Sequence, residues 1–155
     1  MAEDRVNGSR AYGIICEALD GMGWNYDKHP EDNVVTFGVR GEDIPMQFVV
    51  CDDTERQLIR ILSQLPFVFP EDKRLAGAHA VCRANFEMAV GCFEYDADSG
   101  SVNYKLVTSY RDSLITSSMI VYLIRTACEF LDEYNDKFLA VCKGYIKPEA
   151  MADGS

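Results

Sequence analysis

The chain has 155 residues, 48% of them hydrophobic and 26% charged, which is the composition of one ordinary globular domain. Its 25 acidic residues outnumber its 15 lysines and arginines, so its formal net charge at pH 7 is −10. This charge repels nucleic-acid phosphates and anionic membranes, so we expect neither as a partner.

The first predicted element is a helix over residues 9–22, with Ser9 as its N-cap and residues 1–8 as a flexible tail. A polar connection over residues 27–33 contains Pro30, which blocks regular structure. Three strand-like segments follow, at residues 34–39, 45–51 and 57–65. Because acidic turns separate these segments by only a few residues, they predict an antiparallel meander.

A second helix is predicted from Pro70 to about Asn85, since its acidic first turn suits a helix N-terminus. Its apolar residues at helical spacing predict the buried stripe, and they are Leu75, Ala78, Cys82 and Phe86. Two more strands are predicted at residues 89–95 and 101–110, joined by a hairpin loop.

The longest helical pattern covers residues 117–142, a length of about 39 Å. Its stripe of apolar residues follows the 3.6-residue period, through Ile120, Leu123, Ile124, Ala127, Leu131, Tyr134, Phe138 and Val141. Gly144 is predicted to end the helix, and residues 148–155 are predicted to form a tail.

The order α-βββ-α-ββ-α predicts a single α+β domain over residues 9–147. Its antiparallel five-stranded sheet would have helices on one face, which leaves the other face without a helical cover. The six cysteines form no CxxC pair, and several occupy apolar positions. They predict reduced thiols and a cytoplasmic protein. The N-terminus lacks the apolar region of a secretory signal.

Short segments between Tyr12 and Gly144 occur in a characteristic order. They are Gly23-Trp24, Leu65-Pro66, Val68-Phe69-Pro70, Lys73-Arg74, Ala84-Asn85, Phe93, Tyr95-Asp96, Gly100, Val102-Asn103-Tyr104-Lys105, Leu131, Tyr134 and Gly144. This order resembles the YbjN-like family of bacterial sensory transduction regulators. The resemblance implies the fold of the small acidic type III secretion chaperones. It further implies a cytosolic binding protein, often dimeric, with no established catalytic residues.

Two clusters were considered as metal sites. Asp96, Asp98 and Gly100 imitate the start of a calcium loop, but the glycine comes one position early, and Asp and Gly are also common turn residues. His79 and Cys82 lie three residues apart, whereas zinc requires four ligands. We expect no cofactor and no metal, although the sequence leaves a cation at Asp96 and Asp98 open.

Paired carboxylates occur at Glu31-Asp32, Glu42-Asp43 and Asp52-Asp53, where they predict solvated turns. The Gly38-x-x-Gly41 spacing resembles a nucleic-acid-binding loop, but its acidic surroundings disfavour that function. The sequence contains no GxGxxG, P-loop or GxSxG motif, so we expect a protein that is not an enzyme.

More apolar residues are present than one helix stripe and one sheet face require. The candidate interface residues are Met119, Tyr122, Phe130, Tyr104 and Phe93. They suggest a homodimer and an unknown protein partner, held on the sheet face or at a strand edge. Together with the family resemblance, which implies the likeness to a secretion chaperone and the role in bacterial signalling or stress regulation, they lead us to expect a protein-binding adaptor. The alternative function is a domain that senses a small molecule or a metal. If the surplus apolar residues are only scattered surface aromatics, they form no interface.

Overall fold

The computed structural model describes residues 2–152 of the chain, with side chains from residue 10 onward. Residue 1 and residues 153–155, which belong to the predicted tails, lie outside the described residues. Three α-helices are present in the described part, and they are α1 (Ala2–Met22), α2 (Arg74–Asn85) and α3 (Ser117–Cys142). The strands are β1 (Asp27–His29), β2 (Val34–Val39), β3 (Met46–Asp53), β4 (Leu58–Val68), β5 (Cys92–Asp96) and β6 (Ser101–Ser109).

The six strands form one antiparallel sheet in the order β1-β2-β3-β4-β6-β5. The α+β class and the antiparallel sheet are confirmed, while the predicted strand number of five is one too low. The additional strand is β1, which pairs with β2 and lies within the predicted connection. Its residues, Asp-Lys-His, carry no apolar alternation, so the sequence pattern could not reveal it.

The core lies between one face of the sheet and the helices. Alternate residues of the strands point into it, as Met46, Phe48 and Val50 do on β3. The predicted stripe of α3 supplies the opposite side, with one change: Asn135 is fully buried, whereas Tyr134 is half-buried. Tyr134 nevertheless packs against Phe93, with ring centroids 5.6 Å apart.

The ends of the chain extend further into regular structure than the sequence predicted. Helix α1 begins at Ala2, so the predicted N-cap Ser9 lies inside the helix. A 3-10 helix covers Pro148–Ala152, and Met151 within it is 1% exposed. Residues 148–152, which the sequence assigned to a tail, therefore contribute a side chain to the core.

The predicted buried stripe of α2 is wrong. The core-facing side of this helix consists of Gly77, Ala80, Val81 and Ala84. Leu75 is 88% exposed and Phe86 is 72% exposed, and Ala78 and Cys82 are exposed as well. A close approach explains the choice, because a Cβ atom at Gly77 would lie 2.7 Å from both the Phe69 ring and the Tyr95 hydroxyl. The helix therefore packs with its smallest residues inward.

Candidate functional site

The sheet face opposite the helices is the candidate site, and we call it the open face. Its centre is a patch of partly exposed apolar side chains on three adjacent strands. Val49 on β3 lies opposite Leu62 on β4, and Val107 on β6 lies opposite Arg60, diagonal to Leu62. Val49 is 37% exposed and Val107 is 42% exposed. Apolar side chains here meet solvent because no helix of the described chain covers this face.

Polar and charged groups surround the apolar centre. A shallow depression of about 520 Å³ is lined by Gln47, Val49, Arg60, Leu62, Gln64, Glu94, Asn103 and Lys105. The amides of this lining can donate and accept hydrogen bonds, as an adjacent peptide backbone would require. The depression thus combines an apolar floor with groups that suit an extended polypeptide segment.

Two ion pairs lie near the centre of the open face. Lys105 forms an ion pair with Glu94, and that hydrogen bond raises the pKa of the lysine. Arg60 lies opposite Val107, and its Nη2 is 3.4 Å from Asp53 Oδ2. These two cations and two anions balance one another near the centre of the face, while Asp27 on β1 and Asp96 on β5 add carboxylates toward its two edges. Only the centre of the open face is therefore nearly neutral in this acidic protein.

The candidate interface residues occupy two different environments. Phe93 is 3% exposed and Tyr104 is 0% exposed, and their rings pack edge to face at 5.4 Å. The Tyr104 hydroxyl donates a hydrogen bond of 2.9 Å to the Val90 carbonyl. Because both side chains belong to the core of one chain, neither is available to a partner in this conformation.

The three candidates on α3 lie nearer the surface. Met119 and Phe130 are half-buried and pack against the core, while Tyr122 is 59% exposed. The sequence correctly placed these residues beside the main stripe. Much of the apolar surface of Met119 and Phe130 is nevertheless covered within one chain.

The free edge of the sheet at β5 is partly closed by a side chain. The Asn85 Nδ2 donates a hydrogen bond of 2.9 Å to the Phe93 carbonyl, and the Phe93 N–H donates one of 2.7 Å to Asn85 Oδ1. The amide thereby occupies the position that an added strand would take. This contact disfavours strand addition at Phe93. The open face is therefore the better candidate for binding an extended segment.

The Asp96–Gly100 loop uses its carboxylate internally. Asp96 Oδ2 accepts a hydrogen bond from the Ser99 hydroxyl at 2.9 Å, and Oδ1 accepts one from the Asp98 N–H at 3.0 Å. These bonds hold the pKa of Asp96 below its usual range, and the bond from Ser99 has the largest effect. Among the residues that the structure describes, no group of three or more potential metal ligands occurs.

The other chemical candidates are dispersed. His79 is exposed on α2, and its Nδ1 is 3.8 Å from Glu149 Oε1. Gly41 packs against α3, where a Cβ atom would lie 2.4 Å from Asp132 Oδ1, so its role is one of close packing. Asp52 departs from the prediction of solvated carboxylates, since it is 3% exposed.

Several residues of the characteristic segments meet at one structural junction. The Arg74 Nε donates a hydrogen bond of 3.1 Å to the Phe69 carbonyl, and the Tyr95 hydroxyl donates one of 2.8 Å to the Arg74 carbonyl. Gly100 has a φ of +77°, and a Cβ atom there would lie 2.1 Å from the Phe69 carbonyl oxygen. These residues fix α2 to the β5–β6 hairpin, so their role is structural.

Comparison with known proteins gives one positive result. The model of the YbjN family, described as "Putative bacterial sensory transduction regulator", matches residues 12–140. No curated protein matches the chain.

None of the helices in the described part of the chain has the length and apolar character that a membrane crossing requires.

Proposed function

The chain belongs to the YbjN family, and from that premise we propose that it is a non-enzymatic adaptor whose open face binds a segment of a partner protein. The uncovered apolar centre of Val49, Leu62 and Val107 carries this proposal. Exposed apolar patches within polar rims commonly mark protein-binding sites. In this proposal the protein holds its partner as a secretion chaperone does, and it acts in bacterial signalling or stress regulation.

The charge pattern supports a polypeptide partner. The ion pairs Lys105–Glu94 and Arg60–Asp53 leave the centre of the open face without excess charge, so an apolar segment can be held there without facing an unpaired carboxylate. The apolar centre contributes about 25 cal/mol for each Å² that the partner covers. The surrounding amides satisfy the backbone groups of an extended segment.

In this proposal, the protein acts in the cytoplasm as a homodimer. The six free thiols suit a reducing compartment, where disulfides are rare. Symmetric dimers are the commonest oligomers of soluble proteins. A dimer would present two open faces and could hold one partner at two points.

Site-specific photo-cross-linking in bacterial cells tests the open face. We expect p-benzoylphenylalanine at position 49 to give a discrete adduct with another protein, and Leu62→Glu to abolish that adduct. The same probe at Leu114, which is 80% exposed and lies beside Arg10 and Ile14 of α1, is the matched control. Equal adducts from both positions, or none from position 49, would reject the proposed function.

A further inference from the structure

The last described residues of the chain pack on the helices through one fully buried side chain. We call residues 146–152 the C-terminal segment, and it contains the 3-10 helix Pro148–Ala152. Met151 is 1% exposed, whereas the other residues of the 3-10 helix are exposed or half-buried. The segment packs mainly on α2 and also touches α3. Met151 therefore fills an apolar pocket to which these two helices contribute.

An ion pair locates the C-terminal segment on α2. The Nδ1 of His79 lies 3.8 Å from Glu149 Oε1, so the segment passes beside His79. Successive helix residues are about 100° apart, which places Ala76 and Arg83 between His79 and the buried Ala80 on the circumference of the helix. Ala76 is partly buried and packs against the core. This flank of α2 therefore faces the segment.

Arg83, on the same flank, is incompletely satisfied. Its Nε is buried and has no hydrogen-bond partner within the described residues. A buried N–H of a charged group without an acceptor is costly, and a bound carbonyl or carboxylate oxygen would remove that cost. The C-terminal segment directs the carboxylate of Glu149 to His79 instead. The segment is therefore an imperfect ligand for this flank.

The attachment of the C-terminal segment is weak. Within the described chain, no backbone hydrogen bond joins residues 146–152 to another element, and the Ala150 N–H donates to the Lys147 carbonyl inside the segment. The His79–Glu149 pair is exposed, so it contributes little. Burial of one methionine favours attachment by about tenfold to a hundredfold, and the entropy lost on ordering the segment opposes it. We therefore expect the segment to detach locally while the rest of the fold stays intact.

The pocket and its occupant belong to different parts of the sequence. The residues that the YbjN family model matches, 12–140, contain α2 and most of α3. The C-terminal segment lies outside the matched residues. The pocket is thus part of the family domain, whereas its occupant is not.

We propose that this pocket binds an apolar anchor residue of a partner protein, and that the C-terminal segment is its intramolecular competitor. The segment shows which chemistry fits, with methionine in the pocket and a carboxylate two residues earlier beside His79. A partner segment with the same spacing, and with an oxygen acceptor for Arg83 Nε, binds in its place. The pocket lies on the helix side of the sheet, so this inference does not rest on the function proposed for the open face.

Fluorescence polarisation with a labelled synthetic peptide of residues 145–155 measures the pocket directly. We expect the peptide to bind the full chain that carries Met151→Asp, because the introduced carboxylate detaches the C-terminal segment. The unaltered chain should bind the peptide about tenfold or more weakly, since its own segment competes at a high effective concentration. The same peptide with Met151→Asp is the matched control and should not bind.

Cleavage after Glu149 by a glutamate-specific protease reports detachment without the peptide. We expect Met151→Asp to be cleaved about tenfold or more faster than the unaltered chain, after each rate is divided by that of the corresponding free peptide. Ala152→Asp, at the exposed neighbouring position, should be cleaved at the unaltered rate. Circular dichroism melting checks that the variants keep the fold.

Four outcomes would overturn the proposal. The first is failure of the peptide to bind Met151→Asp, and the second is equal binding or equal cleavage of the two chains. The third is loss of the fold in Met151→Asp, which would make Met151 an obligatory part of the core. The fourth is a dimer that Met151→Asp abolishes, since it would assign the pocket to the C-terminal segment of a second copy. Adducts from position 49 test the open face independently of all four.

Discussion

Asp52 is a buried ionisable residue in a core that is otherwise mostly apolar. It follows Met46, Phe48 and Val50 on the inward side of β3 and is 3% exposed. Its Oδ1 accepts a hydrogen bond of 2.7 Å from the Tyr110 hydroxyl, while its Oδ2 is buried and has no partner within the described residues. Burial raises the pKa of Asp52 to about 6, against the opposing effect of the Tyr110 hydrogen bond.

The raised pKa of Asp52 predicts a loss of stability with rising pH. Between pH values of about 4 and 6 the folded state binds more protons at Asp52 than the unfolded state, so the free energy of unfolding falls as pH rises. The loss is about 3 kcal/mol and is complete above pH 6. Asp52→Asn removes the buried charge, so we expect it to be more stable than the unaltered chain at pH 7 by about 1–3 kcal/mol.

Urea unfolding across this pH range measures the free energy of unfolding of Asp52→Asn and of the unaltered chain. The difference between the two values reports the effect of Asp52. We expect that difference to grow through the window and then to become constant. Asp53→Asn is the matched control, since Asp53 is partly exposed and is paired with Arg56 and Arg60. A difference that does not change with pH would show that Asp52 is already ionised in the folded chain.

Helix α2 illustrates how one element can connect two parts of the fold. Its N-terminal end is fixed to the β5–β6 hairpin through Arg74, and its C-terminal end is fixed to β5 through Asn85. Asn85 substitutes for ladder hydrogen bonds at the β5 edge, whereas Arg74 satisfies the carbonyls of Phe69, after β4, and of Asp98, in the hairpin turn. These contacts give a physical role to two of the segments that carry the family resemblance.

Asn85→Ala should destabilise the chain, because it leaves the outward N–H and carbonyl of Phe93 without their side-chain partner. Loss of two such hydrogen bonds next to the core costs about 1–3 kcal/mol. Urea unfolding at pH 7 measures the change, with Asn103→Ala on the open face as the matched control. If the two variants lose equal stability, the edge contact of Asn85 contributes little.

The whole molecule is a two-layer structure with an uneven distribution of charge. The helices shield one face of the sheet, and the other face carries balanced ion pairs. Most of the excess of ten negative charges therefore lies outside the centre of the open face. Self-repulsion of this kind destabilises the compact state, while exposed ion pairs contribute little.

Added salt should consequently raise the melting temperature. The Debye length falls from about 30 Å at 0.01 M to about 3 Å at 1 M, which screens the repulsion among carboxylates. We expect a rise of a few degrees on addition of NaCl, measured by differential scanning calorimetry. Choline chloride at equal ionic strength should reproduce the rise, and a fall in both salts would mean that specific ion pairs dominate the charge contribution.

The sequence predicted those features that depend on local pattern. The stripe of α3 was identified correctly except at Asn135, because a long helix with one apolar face has an unambiguous period. The strands β2 to β6 were recognised for the same reason, through their alternation or β-branched content. The predicted sheet with helices on one face already implied an open face.

Only the tertiary structure decided which side of α2 is buried. This helix has apolar residues on both sides, with Ala80, Val81 and Ala84 on one and Leu75 and Phe86 on the other. Hydrophobicity favours burial of the larger pair, but the approach of Phe69 and Tyr95 to Gly77 leaves room for the smaller residues alone. Burial at this position depends on the space between elements that are distant in sequence, and periodicity carries no information about that space.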